Sequence, residues 1–591
     1  MMTMQRAIHW TALAAAALLA LVPSAASAQS GINDVIMAGR AHGVEIPAEA
    51  LAQMRALGPD AFEFQHVWKA RAARVMRNRA AFDAAQRERP TRGAASVVTT
   101  EQLQAASAVL DGTFRMPILL GRPNDGTEPH TAAQYQTRMF GTGGSSYSLT
   151  TFYDEMSQGV FNFTGDVIDW ADLPQTSVTY YGSGNQNIFG NTPLFLNHTL
   201  AAVDPTVDFA LYDNDGPDGV PNSGDDDGFV DLAAFMYPAI GRECGGVGTG
   251  IWAHRFFIAG WGGSNFTTND PSAEGGFIRV SDYIIQGGID CDGSLQEIGV
   301  VAHEAGHGFG LPDLYDTDAT TNVSQGIGEW GLMGSGNWNE PHSPAHMEAH
   351  SKMMMGWIDV VTILRDTALT IEPIFDTPVA YRININGVAR EYFMLENRQR
   401  LGSDAFLNGT GLLIWHVDSV TYANGMASNT VNANQAHKGL DLEEADGLNH
   451  LDVSSSASNA RGDAGDPWPG SANRTTFNGA SNPSSATYSS GPSNVEITNI
   501  VETAGGDITL FVNIPDLVTY GDVNDDDVVT DADLDVVMAY TIGATGPDYS
   551  RIGIADVDDD GDVDGRDAYI IHAYLEGVNT DSFRVGDQGI E

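Results

Sequence analysis

The feature that most constrains this chain is the run His303-Glu304-Ala305-Gly306-His307-Gly308-Phe309-Gly310-Leu311-Pro312-Asp313, preceded by the apolar stem Ile298-Gly299-Val300-Val301-Ala302. On a helix, positions i and i+4 share a face one turn apart, so His303 and His307 can present imidazole nitrogens to one ion. Zinc accepts such nitrogens in a tetrahedral set. Glu304 projects from a neighbouring part of the helix, where it can take a proton from a metal-activated water as general base. Gly310 permits a backbone conformation that side chains disfavour, and Pro312 helps to forbid helical continuation. The returning chain can then supply Asp313 as an oxygen ligand and leave the fourth position open for water. Spacing alone does not choose among carboxylates, and Glu329, Glu340 and Glu348 are alternatives. The same histidine spacing also occurs on solvated helix faces, but the apolar stem points to burial.

Downstream, Gly331-Leu332-Met333-Gly334-Ser335-Gly336-Asn337-Trp338 sets one methionine in a glycine-rich turn. This resembles the turn beneath the metal in metzincin-type peptidases; the plain alternative is a methionine filling the core. Together with the segment SKMMMGW ending at Trp357, these motifs resemble the immune inhibitor A family of secreted bacterial metallopeptidases. Further similar segments are Ser157–Gly165, Asp213–Asp231, Glu391–Arg398 and Gly411–Asp418, so the likeness runs from about residue 113 to 515. It implies an extracellular zinc endopeptidase acting on proteins or peptides and made as a latent precursor. His303, His307 and Asp313 would hold one catalytic zinc, with Glu304 as base. The competing reading is a noncatalytic, calcium-dependent surface or adhesion protein that has kept a peptidase fold. The intact His303, Glu304, His307 and Gly310 argue against it.

At 591 residues the chain exceeds what one core supports. The expected fold class is α+β multidomain. A signal peptide is predicted over 1–28, with Arg6, the apolar stretch Ala12 to Val22 and the small residues Ala26-Ser27-Ala28. Its apolar stretch is shorter than the roughly 20 residues a membrane span requires. A helical prosegment is expected over 29–112, which holds ten of the 29 basic residues, including Arg40, Lys69, Arg71 and Arg89. A zincin-type catalytic domain follows over 113–360. Short apolar runs separated by turn residues then predict a β-sandwich-like domain over 361–516, in which His416 and Asp418 read as structural. The two cysteines, Cys244 and Cys291, should pair after export.

A formal net charge of −48 excludes a nucleic-acid partner, because phosphates call for lysine and arginine. Much of it is concentrated where carboxylates alternate with glycines. Asp213, Asp215, Asp218, Asp225, Asp227 and Asp231 are candidate calcium ligands, the alternative being an acidic solvated loop. Two twelve-residue loops repeat near the C-terminus. The first offers Asp522, Asn524, Asp526, the Val528 carbonyl, Thr530 and Asp533; the second offers Asp556, Asp558, Asp560, the Asp562 carbonyl, Asp564 and Asp567. Each precedes a short apolar helix. Paired loop-helix units ending in aspartate resemble a dockerin domain, here over 518–578, which implies two calcium ions and a cohesin-bearing scaffold as partner. A calcium-stabilised tail without a partner is the alternative.

Overall fold

The computed structural model describes residues 30–42, 44–58, 61–66, 75, 96–98 and 112–590, apart from positions 145, 184–186, 217, 318–323, 386–387, 427, 454–459, 490, 515–516, 525–527, 546, 550, 559–561, 579, 581–582, 584 and 587. The signal peptide, most of the arginine-rich stretch, and Asp526 and Asp560 of the C-terminal loops lie outside the described residues.

The segment carrying the histidine motif is built on a five-stranded sheet in the order Phe161–Leu173, Gly112–Pro123, Ala233–Ile240, Asp282–Ile289, His254–Phe257. The first three pairings are parallel and only the edge strand His254–Phe257 runs antiparallel. Parallel neighbours require long crossovers. Between Gly112–Pro123 and Phe161–Leu173 the crossover contains helices Ala132–Phe140 and Leu149–Met156, each begun by a capping box, at Thr131 and Ser148. The expected mixture of helices and sheets in several units is present, and this sheet adds parallel pairing that the expectation did not specify.

Helix Gly299–Gly308, which carries the histidine motif, follows the sheet and is buried from Val301 onward. Tyr153 donates its hydroxyl proton to the Ala302 carbonyl at 2.7 Å and ties this helix to the crossover. The helix ends in a Schellman motif: Gly310 N–H donates to His307 O and Leu311 N–H to Gly306 O. Gly310 sits at φ 94°, the left-handed region that glycine enters without strain.

Beyond Trp357, a six-stranded sheet runs in the order Ser96–Val98, Asp359–Thr362, Val379–Ile385, Val388–Arg398, Gly411–Asp418, Leu440–Leu442. A three-stranded sheet comprises Thr367–Ile371, Ile508–Asn513 and Glu496–Glu502. Side chains alternate across a strand, and here both faces are covered. Phe393, Leu395, Leu412 and Ile414 pack with Ile371, Ile497 and Leu510 of the smaller sheet. Their neighbours Tyr392, Met394, Leu413 and Trp415 instead join the core that contains Ala302, Ala305, Met353 and Trp357. The β-rich region is thus continuous with the packing behind helix Gly299–Gly308.

The region expected to be helical through residue 112 differs from that expectation. It contains helices Ser30–Ala41 and Ala48–Ala56, but Ser96–Val98 is a strand paired antiparallel with Asp359–Thr362. Three residues of alternating register found a partner with exposed edge hydrogen-bonding groups, which local composition does not reveal.

At the C-terminus, helices Asp531–Thr541 and Gly565–Leu575 enclose a small core of Leu534, Val537, Ile554, Val557, Ile570 and Ile571. Both helices begin earlier than the apolar pattern suggested, because Thr530 and Asp564 cap them through capping boxes. Among the described residues, no helix is long and apolar enough to cross a membrane.

Candidate metal centre

Helical spacing and the Schellman turn bring three side chains together. His303 Nε2 and His307 Nε2 lie 3.2 Å apart, and Asp313 Oδ1 lies 3.2 Å from the first and 3.0 Å from the second. All three residues are buried, Asp313 completely. The Nδ1 atoms of His303 and His307 face the carbonyl oxygens of Leu332 and Leu311, each at 2.8 Å. A carbonyl only accepts, so both Nδ1 atoms carry the proton and both Nε2 atoms turn lone pairs toward one another and toward a carboxylate oxygen. Three acceptors facing each other at this distance are repulsive without a cation. A tetrahedral zinc with ligand distances of about 2.0–2.1 Å separates its donors by roughly 3.3 Å, so the triangle fits that ion. With no cation between them the triangle is eased only by protons on the imidazoles: His307 and His303 so protonated, together with Arg255, hold the Asp313 carboxyl well below the usual carboxylate range despite its burial.

Glu329, Glu340 and Glu348, the alternative oxygen ligands, stand with other partners. Glu329 accepts from Asn408 at 2.9 Å, Glu340 faces His342 at 2.9 Å, and Glu348 caps helix Ala349–Met355 by accepting from Ser351 N–H at 2.7 Å.

Two residues of the centre carry no signal in the motif. Arg255, fully buried on the edge strand, donates from Nη1 to Glu304 Oε2 at 3.0 Å and approaches Asp313 Oδ2 at 3.6 Å. Its one clue is an arginine inside the apolar run Ile251-Trp252-Ala253-His254-Arg255-Phe256-Phe257, since a buried cation requires a partner. Asn429 comes from the β-rich region. Its Nδ2 donates to Asp313 Oδ2 at 2.5 Å and its Oδ1 accepts from Asp313 N–H at 2.6 Å, gripping the residue from two sides. Nothing in the polar stretch around Asn429 marks it.

Met333 is fully buried directly against the helix: a Cβ on Gly306 would lie 2.4 Å from its sulfur. A side chain at position 306 would therefore force the Met333 side chain to shift. Tyr315 stacks near His303, with ring centroids 6.4 Å apart. The cleft beside the centre is lined by His303, Glu304, Tyr315, Asn337 and Trp338, and also by Met37 and Ala38 of helix Ser30–Ala41. That N-terminal segment is firmly docked. Trp252 Nε1 donates to Val35 O at 2.8 Å, and Asp282 accepts the N–H groups of Gln65 and His66 at 2.9 and 2.7 Å. Phe62 is buried among Phe189, His254, Phe256 and Trp261, and Glu63 reaches Arg255 at 3.4 Å.

Residues 127–360 match the family model of the immune inhibitor A peptidase M6 catalytic domain, and residues 520–576 match that of the dockerin type I domain. The chain carries an M6 catalytic domain and a type I dockerin domain. Over 245 residues it is 30% identical to Immune inhibitor A of Bacillus thuringiensis subsp. alesti, covering 37% of this chain and 34% of that protein. Over 223 residues it is 30% identical to the Pre-pro-metalloprotease PrtV of Vibrio cholerae serotype O1, covering 35% of this chain and 24% of that one. The chain spans about a third or less of the length of these curated relatives. The M6 match contains the histidine centre, Arg255 and Met333, whereas Asn429 lies beyond it.

Among the acidic residues within the M6 match, Asp213, Asp215 and Asp226 present oxygens within 4.8 Å of one another. Asp226 was not among the expected ligands. Both Asp213 oxygens are buried without a hydrogen-bond partner, and burial, then Asp231 and Asp226, push its carboxyl up to about 8. Asp227 is exposed and accepts from Phe229 N–H at 2.9 Å. Asp231 Oδ1 accepts from Asn214 N–H at 3.2 Å. Asp218 and Asp225 are instead exposed and occupied by turns: Asp218 accepts from Val220 N–H, and Asp225 from Ser223 Oγ.

Cys244 and Cys291 form a disulfide, joining the segment after strand Ala233–Ile240 to the one after Asp282–Ile289. His416 lies between Glu391 and Glu443, each at 2.9 Å; these carboxylates outweigh its burial and raise it to about 9. Asp418 accepts from Val420 and Thr421 N–H. In the dockerin loops the twelfth-position carboxylates organise the backbone. Asp533 accepts from Asn524 and Thr530 N–H, and Asp567 from Val557, Asp558 and Asp564 N–H. Asp522 is buried, Asp556 and Asp558 are partly buried, and Asp562, Val528 and Asn524 are exposed. Arg566 places its guanidinium 2.8 Å from Asp558.

Proposed function

We propose that the chain is a secreted zinc endopeptidase that cleaves peptide bonds in extracellular proteins. The observation that carries this reading is the buried triangle of His303, His307 and Asp313 beside Glu304, within the M6 match. Bound zinc would polarise the scissile carbonyl, acidify a water and stabilise the developing negative charge. His303 and His307 would hold it through Nε2, with the Leu332 and Leu311 carbonyls fixing their tautomers. Asp313 would be the third ligand, set by Asn429. Glu304 takes the proton of the attacking water and returns it to the departing amine. Arg255 holds the Glu304 carboxylate toward the cleft.

The proposed organisation is a signal peptide over 1–28, a prosegment over 29–112, a catalytic domain over 113–360, a β-sandwich-like domain over 361–516 and a dockerin-like module over 518–578. Latency is supported by Met37 and Ala38 in the cleft and by Glu63 on Arg255. Calcium is assigned to the two C-terminal loops and to the cluster around Asp213. The dockerin match supports a cohesin-bearing partner, and with it attachment at a cell surface.

The deciding experiment is Glu304→Gln in the processed enzyme. Zinc content should stay at one per chain while casein hydrolysis falls by about 10²- to 10⁴-fold. Wild-type turnover by this variant would refute the mechanism.

A further inference from the structure

A second carboxylate group lies on the segment that follows strand Leu440–Leu442. Glu444, Asp446 and Asp466 each offer an oxygen within 4.8 Å of the others, and Asp446, His450 and Asp463 form an overlapping set. Glu444 is 4% exposed and Asp466 is fully buried. The surrounding donors are almost all backbone amides. Glu444 accepts from His450 and Leu451 N–H at 2.6 and 3.2 Å, and Asp446 Oδ1 from Leu448 N–H at 2.8 Å. Asp463 Oδ1 accepts from Gly465 N–H at 2.6 Å, and its Oδ2 faces His450 Nδ1 at 3.0 Å. Asp466 Oδ2 accepts from Asp463 N–H at 2.8 Å and from Trp330 Nε1 at 2.9 Å. Asp466 Oδ1 is buried with no hydrogen-bond partner.

These contacts orient the oxygens without neutralising them. Lys438 is engaged by Asp441 and Asp452, and Arg461 by Glu329. Burial, then Asp466, raises Glu444 to about 8; Asp466 itself is raised to about 7, first by burial, with Asp463 and Asp446 adding to it. Carboxylates taken out of water this way are stable only with protons or a cation between them. The donors are all oxygens, three of them formally anionic, and half-buried Asp446 leaves room for water ligands. Calcium, bound at about 2.3–2.6 Å with six to eight oxygens, spans donor separations up to roughly 5 Å.

We propose that Glu444, Asp446 and Asp466 bind a calcium ion that braces the floor of the catalytic centre. The segment carrying these residues holds the stretch that leads into the Met333 turn. Gln325 N–H donates to Leu451 O at 2.6 Å, Glu329 N–H to Arg461 O at 2.8 Å, and Trp330 Nε1 to Asp466 itself. Two residues beyond Trp330, the Leu332 carbonyl receives His303 Nδ1. Asp466 is thus linked to a zinc-site histidine through one short piece of backbone. The catalytic consequence rests on the metallopeptidase reading; the ion site does not.

The test uses the full-length chain carrying Glu304→Gln, which prevents self-cleavage, with Asp533→Asn and Asp567→Asn to weaken the dockerin loops. After chelation it is titrated with calcium by equilibrium dialysis and with terbium. Terbium at Asp466 would be sensitised by the indole of Trp330, whose Nε1 is bonded to that carboxylate. The expected result is tryptophan-excited terbium emission that calcium displaces. Glu444→Gln/Asp466→Asn should lose one calcium per chain and most of that emission. Asp446→Asn, half-buried and able to keep its turn acceptor, should weaken the same calcium roughly tenfold or more and decides the matter if the double variant does not fold. Unchanged calcium number, affinity and emission in the folded variants would overturn the proposal. No turnover is measured, so failure of the peptidase reading would leave these readouts untouched.

Discussion

Asn429 should be as consequential for metal binding as a ligand, although it acts only through Asp313. Replacing it by alanine removes the 2.5 Å bond to Asp313 Oδ2 and strips Asp313 N–H of its 2.6 Å acceptor. A hydrogen bond to a charged group contributes about 1.5–3 kcal/mol, and a buried amide without an acceptor costs about 1–3 kcal/mol more. Part of that loss falls on the stability of the turn and part on Asp313's position. Outer-shell partners of metal ligands typically control about 10- to 100-fold in affinity or activity, or about 1.4–2.7 kcal/mol, so most of the combined loss of about 2.5–6 kcal/mol is expected in the stability of the turn. Asn429 also sits at φ 51°, where alanine is strained by about 1–2 kcal/mol. Asn429→Gly removes the same two bonds without that strain, so the pair of variants separates backbone from side chain. Zinc affinity measured by competition with a chromogenic chelator should fall by about 10- to 100-fold in both. Wild-type affinity in Asn429→Gly would show that Asp313 needs no such support, and would undercut its assignment as third ligand.

Other outcomes follow from the same contacts. Asp313→Ala should lower zinc occupancy, and unchanged metal content would remove it from the ligand set. Gly306→Ala sets a Cβ 2.4 Å from the Met333 sulfur and should destabilise the chain by about 1–3 kcal/mol in denaturant unfolding; unchanged stability would mean that the Met333 turn is not packed on the helix. Phe62→Ala should cost the N-terminal segment about 3–5 kcal/mol of docking and raise quenched-peptide hydrolysis by the intact precursor; unchanged turnover would mean that this segment does not close the cleft. Asp213 rises from 3.8 unfolded to about 8 folded, so the folded loop binds more protons than the unfolded one between these values. In chelator, its protection from hydrogen exchange should therefore decline as pH rises from about 4 to 8, and calcium should abolish the decline. A loop equally protected across that range without calcium would contradict the burial assigned to Asp213.

The grouping of the centre's side chains was legible because its parts are local. His303, Glu304 and His307 follow from helical periodicity, and Gly310 from the conformation its turn demands. The paired twelve-residue loops that mark the dockerin match were legible for the same reason, whereas the caps at Thr530 and Asp564 that start their helices were not read from the pattern. The parallel pairing of the sheet that precedes the histidine motif was not legible, since it is decided by crossovers that composition does not orient. Ser96–Val98 was misjudged because a three-residue strand is specified by the edge it joins.

What the sequence determined by itself is which groups stand within one or two turns of one another: the histidine pair, the glutamate between them and the returning aspartate. The tertiary structure alone decided what makes those groups usable. Arg255, Asn429, Glu63 and Asp466 lie from about fifty to more than two hundred residues from the motif, yet each acts at or near the centre. Hydrogen bonds and ion pairs depend on distance in space, and only folding of the sheet, the N-terminal segment and the β-rich region onto one helix makes those distances short.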